Sequence, residues 1–325
     1  MNSITAISTK IDVQVFNKQT QLGLLLAYLY SKDYRFTTIS PASHKLVNSR
    51  KNNHLATNLA DIFGWNRTFN VEILEDAFSD LIQLETFAYK VNAGWKSKLR
   101  VSSINQQLFL HSAYPTLKND AVFFGPDTYR FAHAIKQYLP LNQQPIYRAV
   151  DIGTGSGAGA VLLALALPAS EIIAVDINDE ALSLARINID AANINNITLI
   201  KSDLLNSIEG NFDLIIANPP YLLDKSERSY RHGGGQLGAA LSLEIVDAAI
   251  ARLSTGGTLL LYTGVAIVKG LDAFIAEAAV KLTNAGFNYD YMEIDPDIFG
   301  EELAGDAYAN VDRIAAVVLT ARKPY

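Results

Sequence analysis

Asn218, Pro219, Pro220 and Tyr221 follow a short apolar run and have the makings of a site for a planar nitrogen. Each proline removes a backbone donor and drives the residue before it toward extended geometry, so the Asn218 side chain and the Pro219 carbonyl become neighbouring, rigidly held acceptors. Tyr221 adds a flat ring. Two fixed acceptors beside an aromatic plate satisfy both hydrogens of an NH2 group and cover its face. Taken without context, the same residues also describe a strand that ends in a Pro-Pro loop.

Three acidic residues upstream give that context. Asp151 lies two residues before the turn Gly153-Thr154-Gly155-Ser156-Gly157, whose glycines permit positive φ and let a ligand lie against bare backbone. Asp176, followed by Ile177, ends the next apolar run, where an acid can accept from both hydroxyls of a ribose. Asp203 ends a third run; its carboxylate can accept from an adenine amino group while Leu204 covers the ring. The glycine turn also satisfies a loose GxGxxA pattern, so a nicotinamide or flavin dinucleotide is the competing ligand. Asp151, placed to meet an ammonium group, and the nitrogen cradle together favour S-adenosylmethionine, which combines adenine, ribose, an amino acid and an electrophilic methyl. The expected cofactor contacts are Asp151, Gly153, Thr154, Gly155, Gly157, Asp176, Ile177, Asp203, Leu204 and Asn218. The expected catalytic residues are Asn218, Pro219, Pro220 and Tyr221.

For these residues to converge, each must stand at the end of a strand on one edge of one sheet. The pattern from residue 146 onward predicts strands at 147–152, 171–176, 197–201, 212–217, 257–263, 288–294 and 312–320, and helices at 157–167, 179–191, 238–254 and 270–285. Alternating strands and helices imply right-handed crossovers and an α/β, Rossmann-like, doubly wound sheet of seven strands, mostly parallel. The last two strands, joined without a helix, should be antiparallel. Upstream, apolar spacing predicts helices at 17–31, 54–64 and 71–92, with a polar connection over 40–53. LRVSSI and QLFLH, within 97–112, read as a β-hairpin, and 125–140 as a helix capped by Asp127 and stopped by Pro140. The chain is thus expected to divide into an N-terminal helical domain over 1–96 that serves substrate recognition, a hairpin and helix linker over 97–145, and a cofactor-binding domain over 146–325.

Composition narrows the chemistry further. The chain has 325 residues, 49% of them apolar, and no cysteine. That excludes disulfides, thiolate metal sites and any cysteine nucleophile, including one that attacks a cytosine ring. Its five histidines lack metal-binding spacing, no apolar run is long enough to span a bilayer and no leader-like segment opens the sequence, so a cytoplasmic protein is expected. Residues 1–145 hold 15 Lys and Arg against 10 Asp and Glu, and 146–325 hold 12 against 23. A mildly basic first half is compatible with RNA or an acidic protein as partner, and equally with solvated lysines.

The DIGTGSG turn, Asp176, Asp203 and Asn218 to Tyr221 at these relative positions resemble a class I S-adenosylmethionine-dependent methyltransferase of the Asn-Pro-Pro-Tyr type. The resemblance is greatest to the HemK-like group, which methylates the side-chain amide of a glutamine in peptide-chain release factors. It covers roughly 97–325, and the N-terminal region in general layout. The same tetrapeptide is shared with enzymes that methylate the exocyclic amino group of adenine in RNA or DNA. Two segments depart from the group. Its Pro-Arg-Pro-x-Thr-Glu stretch is here Gly125-Pro126-Asp127-Thr128-Tyr129-Arg130, and its Gly-Gly-x-Asp-Gly stretch is Gly234-Gly235-Gln236-Leu237-Gly238.

The resemblance implies a macromolecular acceptor, a translation-factor-like protein or else a nucleic acid; small-molecule acceptors and a non-catalytic binding module are the remaining classes. Residues 297–310 form a long connection that should rise beside the same sheet edge as a lid or acceptor guide, or else be a solvated acidic loop. Tyr129 and Arg130 stand where they can approach the acceptor, or else Arg130 pairs with a surface acid.

Overall fold

The computed structural model describes residues 18–75, 78, 83–116, 118–223 and 231–325. Its centre is a sheet of seven strands: β5 (Arg148–Ile152), β6 (Glu171–Asp176), β7 (Ile197–Lys201), β8 (Phe212–Ala217), β9 (Leu253–Val268), β11 (Asn288–Asp295) and β12 (Arg313–Arg322). The spatial order is β11-β12-β9-β8-β5-β6-β7, and a two-residue β10 (Leu271–Asp272) folds back on β9. β7, β6, β5, β8 and β9 pair in parallel, whereas β12 runs antiparallel to both β9 and β11. The expected strands all form, and β9 extends the expected 257–263 by several residues at each end.

Alternate residues of the central strands enter two different cores. Leu214 and Ile216 of β8 join the apolar layer under α5 (Pro126–Leu141), α6 (Ala158–Ala166) and α7 (Asp179–Ala191). Phe212, Ile215 and Ala217 join the layer under α8 (Ala240–Arg252) and α9 (Ala273–Asn284). A stretch buried on both faces must be apolar at every position, and for that reason Leu214 to Ala217 of β8 read as a continuous run.

The N-terminal region departs further from its expected form. Helix α1 (Lys18–Ser31) forms, but only α3 (Leu59–Phe63) appears within 54–64. Helix α2 (Pro41–Asn48) lies in the segment read as a polar connection; Ser40 Oγ accepts from Ser43 N and Pro41 begins the helix, a cap and an N1 proline visible in the sequence. The helix expected over 71–92 does not hold. A short 3-10 turn at Val71–Ile73 and α4 (Leu84–Phe87) give way to β1 (Ala88–Val91), which pairs with β2 (Gly94–Ser97); residues 76, 77 and 79–82 lie outside the described ones. The turn between β1 and β2 needs Gly94, whose φ is +133° and whose added Cβ would stand 2.5 Å from the Phe69 carbonyl.

The expected hairpin is β3 (Leu99–Ile104) and β4 (Gln107–Ser112). It packs with α1 and with Ala181, Leu184 and Ile187 of α7 in a third apolar cluster. Asn188, fully buried on α7, fastens the two parts: its Oδ1 accepts from Leu110 N (2.8 Å), and its Nδ2 donates to Leu110 O (3.1 Å) and to Ser156 O in the glycine turn (2.8 Å). Among the described residues no helix is long and apolar enough to cross a membrane.

Candidate active site

The C-terminal ends of β5, β6, β7 and β8 open into one cleft of about 500 Å³, which the N-terminal region and the hairpin close from the other side. Asp151, Gly153, Thr154, Gly155, Asp176, Ile177, Asp203, Leu204, Asn218, Pro219, Pro220 and Tyr221 all line it. Gly157 does not. It sits at φ +81° as the residue before α6, and its missing side chain makes room for Ala185, whose Cβ would lie 3.2 Å from one added there. The third glycine therefore serves helix packing, and Gly153 and Gly155, at φ +69° and +55°, supply the bare backbone.

Asp151 latches the turn. Its Oδ2 accepts from Thr154 Oγ1 (2.7 Å) and Ala160 N (2.9 Å), while Oδ1 accepts from no described group. Burial, partly opposed by those two bonds, pushes its carboxyl up to about 7. Asp176 accepts from Gly155 N through Oδ2 and from Asn178 N through Oδ1, both at 2.9 Å, and burial raises it as well. Beside it Ile177 leaves 54% of its surface exposed, an apolar patch facing the cleft. A cofactor with an ammonium group, a ribose and a flat base fits this donor and acceptor set: a free carboxylate oxygen at Asp151, a second carboxylate at Asp176, an uncovered apolar side chain, and open space over Gly153 where an added Cβ would meet nothing within 4 Å. Among the described residues no cluster of His, Asp and Glu could hold a metal ion.

The Asn-Pro-Pro-Tyr corner continues directly from β8. Asn218 is half-buried and its side chain bonds to no described residue, so its acceptor faces the cleft unused. The Tyr221 ring lies on Gly264 of β9, where an added Cβ would come within 2.2 Å of it, and meets Phe299 edge-on at 6.1 Å. Its hydroxyl donates to Asp127 Oδ2 (2.8 Å), and Tyr262 donates to Oδ1 of the same carboxylate (2.5 Å).

Asp127 is thus no helix cap. Gly125 takes the N-cap position with Pro126 at N1, and Gly125 N donates to Thr128 Oγ1 at 3.2 Å. Asp127 turns inward instead, 4% exposed, and also receives Arg130 Nη1 at 3.1 Å. Burial raises its pKa against the pull of the two tyrosines and the guanidinium. Arg130 pairs with Asp295 as well (2.7 Å), a more buried version of the expected surface ion pair, and Pro140 lies inside the last turn of α5 instead of stopping it.

The glycine-rich segment after the corner is a brace. Gly233 N donates to Leu222 O (2.9 Å), and a Cβ on Gly233 would stand 2.7 Å from Tyr221 Cα. Gly238, at φ +83°, lies so close that its Cβ would fall 2.0 Å from Tyr221 O. Leu237 does not line the cleft and packs instead against the apolar layer that holds Leu214 and Ile216. Residues 297–310 do reach the cleft through Phe299, Glu301 and Glu302. They are pinned there by buried Ile298, by Tyr308, whose hydroxyl accepts from Leu223 N (2.7 Å), and by an ion pair of Glu302 with Arg231.

Residues 135–287 match the family model described as the methyltransferase small domain. The release factor glutamine methyltransferase of Deinococcus radiodurans is 34% identical over 188 residues, 54% of this chain and 63% of that protein. That of Escherichia coli is 35% identical over 151 residues, 43% of this chain and 53% of that protein. The chain therefore spans less than two thirds of the length of these curated relatives. A solved methyltransferase from Pyrococcus furiosus superposes with a TM-score of 0.44 and 20% identity, over 65% of this chain and 92% of that one. Over residues 135–287 the chain is similar to the methyltransferase small domain, and over its α/β, Rossmann-like core it is similar to the release factor glutamine methyltransferases.

Proposed function

We propose that this chain is an S-adenosylmethionine-dependent N-methyltransferase whose acceptor is the side-chain amide of a glutamine in a protein of the release-factor kind. The observation that carries the proposal is the opening of Asp151, Asp176, Asp203 and the Asn218 to Tyr221 corner into one cleft. The names of the relatives support the amide acceptor. So does the cleft lining, whose cationic side chains among the described residues are a buried Arg100 and an Arg231 already paired with Glu302, where a nucleic acid calls for a basic groove.

When bound, the cofactor supplies a methyl group made electrophilic by a sulfonium. The chain's own residues hold and align. Asn218 Oδ1 and the Pro219 carbonyl accept the two hydrogens of the acceptor NH2, which fixes the plane of the amide and keeps its nitrogen facing the cofactor side of the cleft. Positive charge that develops on that nitrogen meets the same two acceptors. Tyr221, anchored by Asp127, walls the acceptor side and keeps water out.

Asp151 gives the site a pH dependence. Its folded carboxyl, raised to about 7, stays protonated in the empty protein well above the ordinary carboxylate range. The stability it contributes is fully present below about pH 4 and is lost as pH rises through about 7. An ammonium group against Oδ1 favours the ionised form, so binding releases a proton and affinity rises with pH across that window. Calorimetric titration with S-adenosylhomocysteine should show roughly tenfold tightening between about pH 6 and pH 8, and Asp151→Asn should flatten the profile. An unchanged profile in the variant would remove Asp151 from the ammonium site.

The acceptor class is tested by transferring labelled methyl from S-adenosylmethionine to fractionated cell extract and digesting the product with protease or nuclease. Label released by protease as methylglutamine is the expected result. Label lost to nuclease would overturn the protein acceptor.

A further inference from the structure

Where the hairpin lines the cleft, a buried cation has no counter-ion among the described residues. Arg100 on β3 is 4% exposed and lines the cleft beside Thr38, His44 and Tyr114. Its Nε donates to Gly64 O (2.7 Å) and its Nη2 to Thr38 Oγ1 (3.3 Å), and no described carboxylate forms an ion pair with it. Nη1 donates to no described group. Burial lowers the guanidinium to about 10, with Tyr34 and Tyr129 as the groups that favour its charge, so it stays positive at neutral pH.

The polar groups around Arg100 all point their donors away from it. His111 lies opposite Arg100 across the hairpin, and its Nδ1 donates to Ser112 O (3.1 Å), which leaves Nε2 to accept from Ser102 Oγ (2.8 Å). Ser102 therefore accepts from Thr38, and Thr38 accepts from Arg100. This chain of hydrogen bonds fixes the guanidinium without supplying negative charge. The neighbouring imidazoles add no positive charge either: burial, then the field of Arg100, brings His44 down to about 4 and holds His111 well below its ordinary range. One desolvated positive charge, fixed in orientation and with a free N–H pair, is costly unless something negative completes it.

We propose that Arg100 is the receptor for a carboxylate carried by the acceptor, which enters the cleft with its amide at Asn218 and its acid at the hairpin. The proposal rests on the methyl-transfer reading and adds to it a chemical demand on the acceptor. A single monovalent cation among neutral imidazoles and hydroxyls matches a carboxylate; a phosphate of charge near −2 would call for further cations or donors. It also gives the N-terminal region a task, since Thr38, Pro41 and His44 shape this part of the cleft.

The test compares the acetylated, C-amidated tripeptides Glu-Gln-Glu and Gln-Gln-Gln, an acid and an amide that share the central glutamine and differ in the flanking side-chain carboxylates. Each is titrated into the full chain saturated with S-adenosylhomocysteine and followed calorimetrically, with inorganic phosphate in a parallel run. Wild-type protein should bind the acid at least ~10-fold more tightly than the amide, Arg100→Gln should abolish the difference, and Arg100→Lys should retain part of it. Equal binding of the two compounds, a preference that survives in Arg100→Gln, or tighter binding of phosphate than of the acid would each overturn the proposal. S-adenosylhomocysteine binding, measured first in every variant, reports folding and the cofactor site separately. Its absence in wild type would refute the methyl-transfer reading, while its retention in Arg100→Gln shows that a lost preference is not a lost fold.

Discussion

Asn218→Ala is expected to lower methyl transfer by about a hundredfold or more while S-adenosylhomocysteine binds as it does to the wild type. The two effects separate because of where the residue stands. Its side chain bonds to no described group, so removing it orphans no buried donor and leaves stability within about 0.5 kcal/mol of wild type. What is lost is one of two acceptors that orient the incoming nitrogen. Alignment accounts for several kcal/mol of barrier lowering in reactions of this kind, so one missing acceptor is felt in the rate far more than in binding. Single-turnover transfer assays beside calorimetric binding make the distinction. A parallel fall in both quantities would mean that Asn218 holds the cofactor and does not align the acceptor.

Asp127→Ala should be the most damaging single change for stability in this part of the fold. Two buried tyrosine hydroxyls, Tyr221 and Tyr262, both donate to this carboxylate, and Arg130 pairs with it. Deleting the acceptor leaves both hydroxyls buried without a partner at roughly 1–3 kcal/mol each, partly offset because a carboxylate that burial already disfavours is gone. A net loss of about 3 kcal/mol follows, with transfer falling as well because the Tyr221 ring is no longer tethered. Asp127→Asn keeps one acceptor oxygen and should fall between the two. Denaturant midpoints in the order wild type, Asn, Ala check this. A midpoint for Asp127→Ala equal to wild type would show that the tyrosines find other partners.

The core was legible because its signals are local. Continuous apolar runs bounded by Gly, Asp and Asn mark strands buried on both faces, and β6, β7, β8 and α7 fall on their expected bounds. Asp176, Asp203 and Asn218 reach the cleft because each stands at or just past a strand end, which sequence does reveal. The role of Asp127 was not legible, since its partners lie 94 and 135 residues away and an acid in a helix's first turn looks like a cap. The segment 71–92 failed for a different reason. Apolar spacing there suits a helix, but Phe69 pairs with Trp95 and recruits Ala88–Val91 into a hairpin, so tertiary pairing overrides local preference. The Asn92-Ala93-Gly94 turn was the available signal. Arg100 gave none: one arginine in a strand of mixed polarity says nothing about its burial.

Asn188 ties the backbone of β4 to the carbonyl of Ser156 in the glycine turn through one side chain. The hairpin and the cofactor turn are therefore linked folding units in the thermodynamic sense. Free energy released when a ligand settles on Gly153 and Gly155 is shared with the hairpin and with the helices that rest on it. Loosening the hairpin, conversely, weakens a ligand that never touches it. A chain whose sequence reads as separate modules would then melt as one.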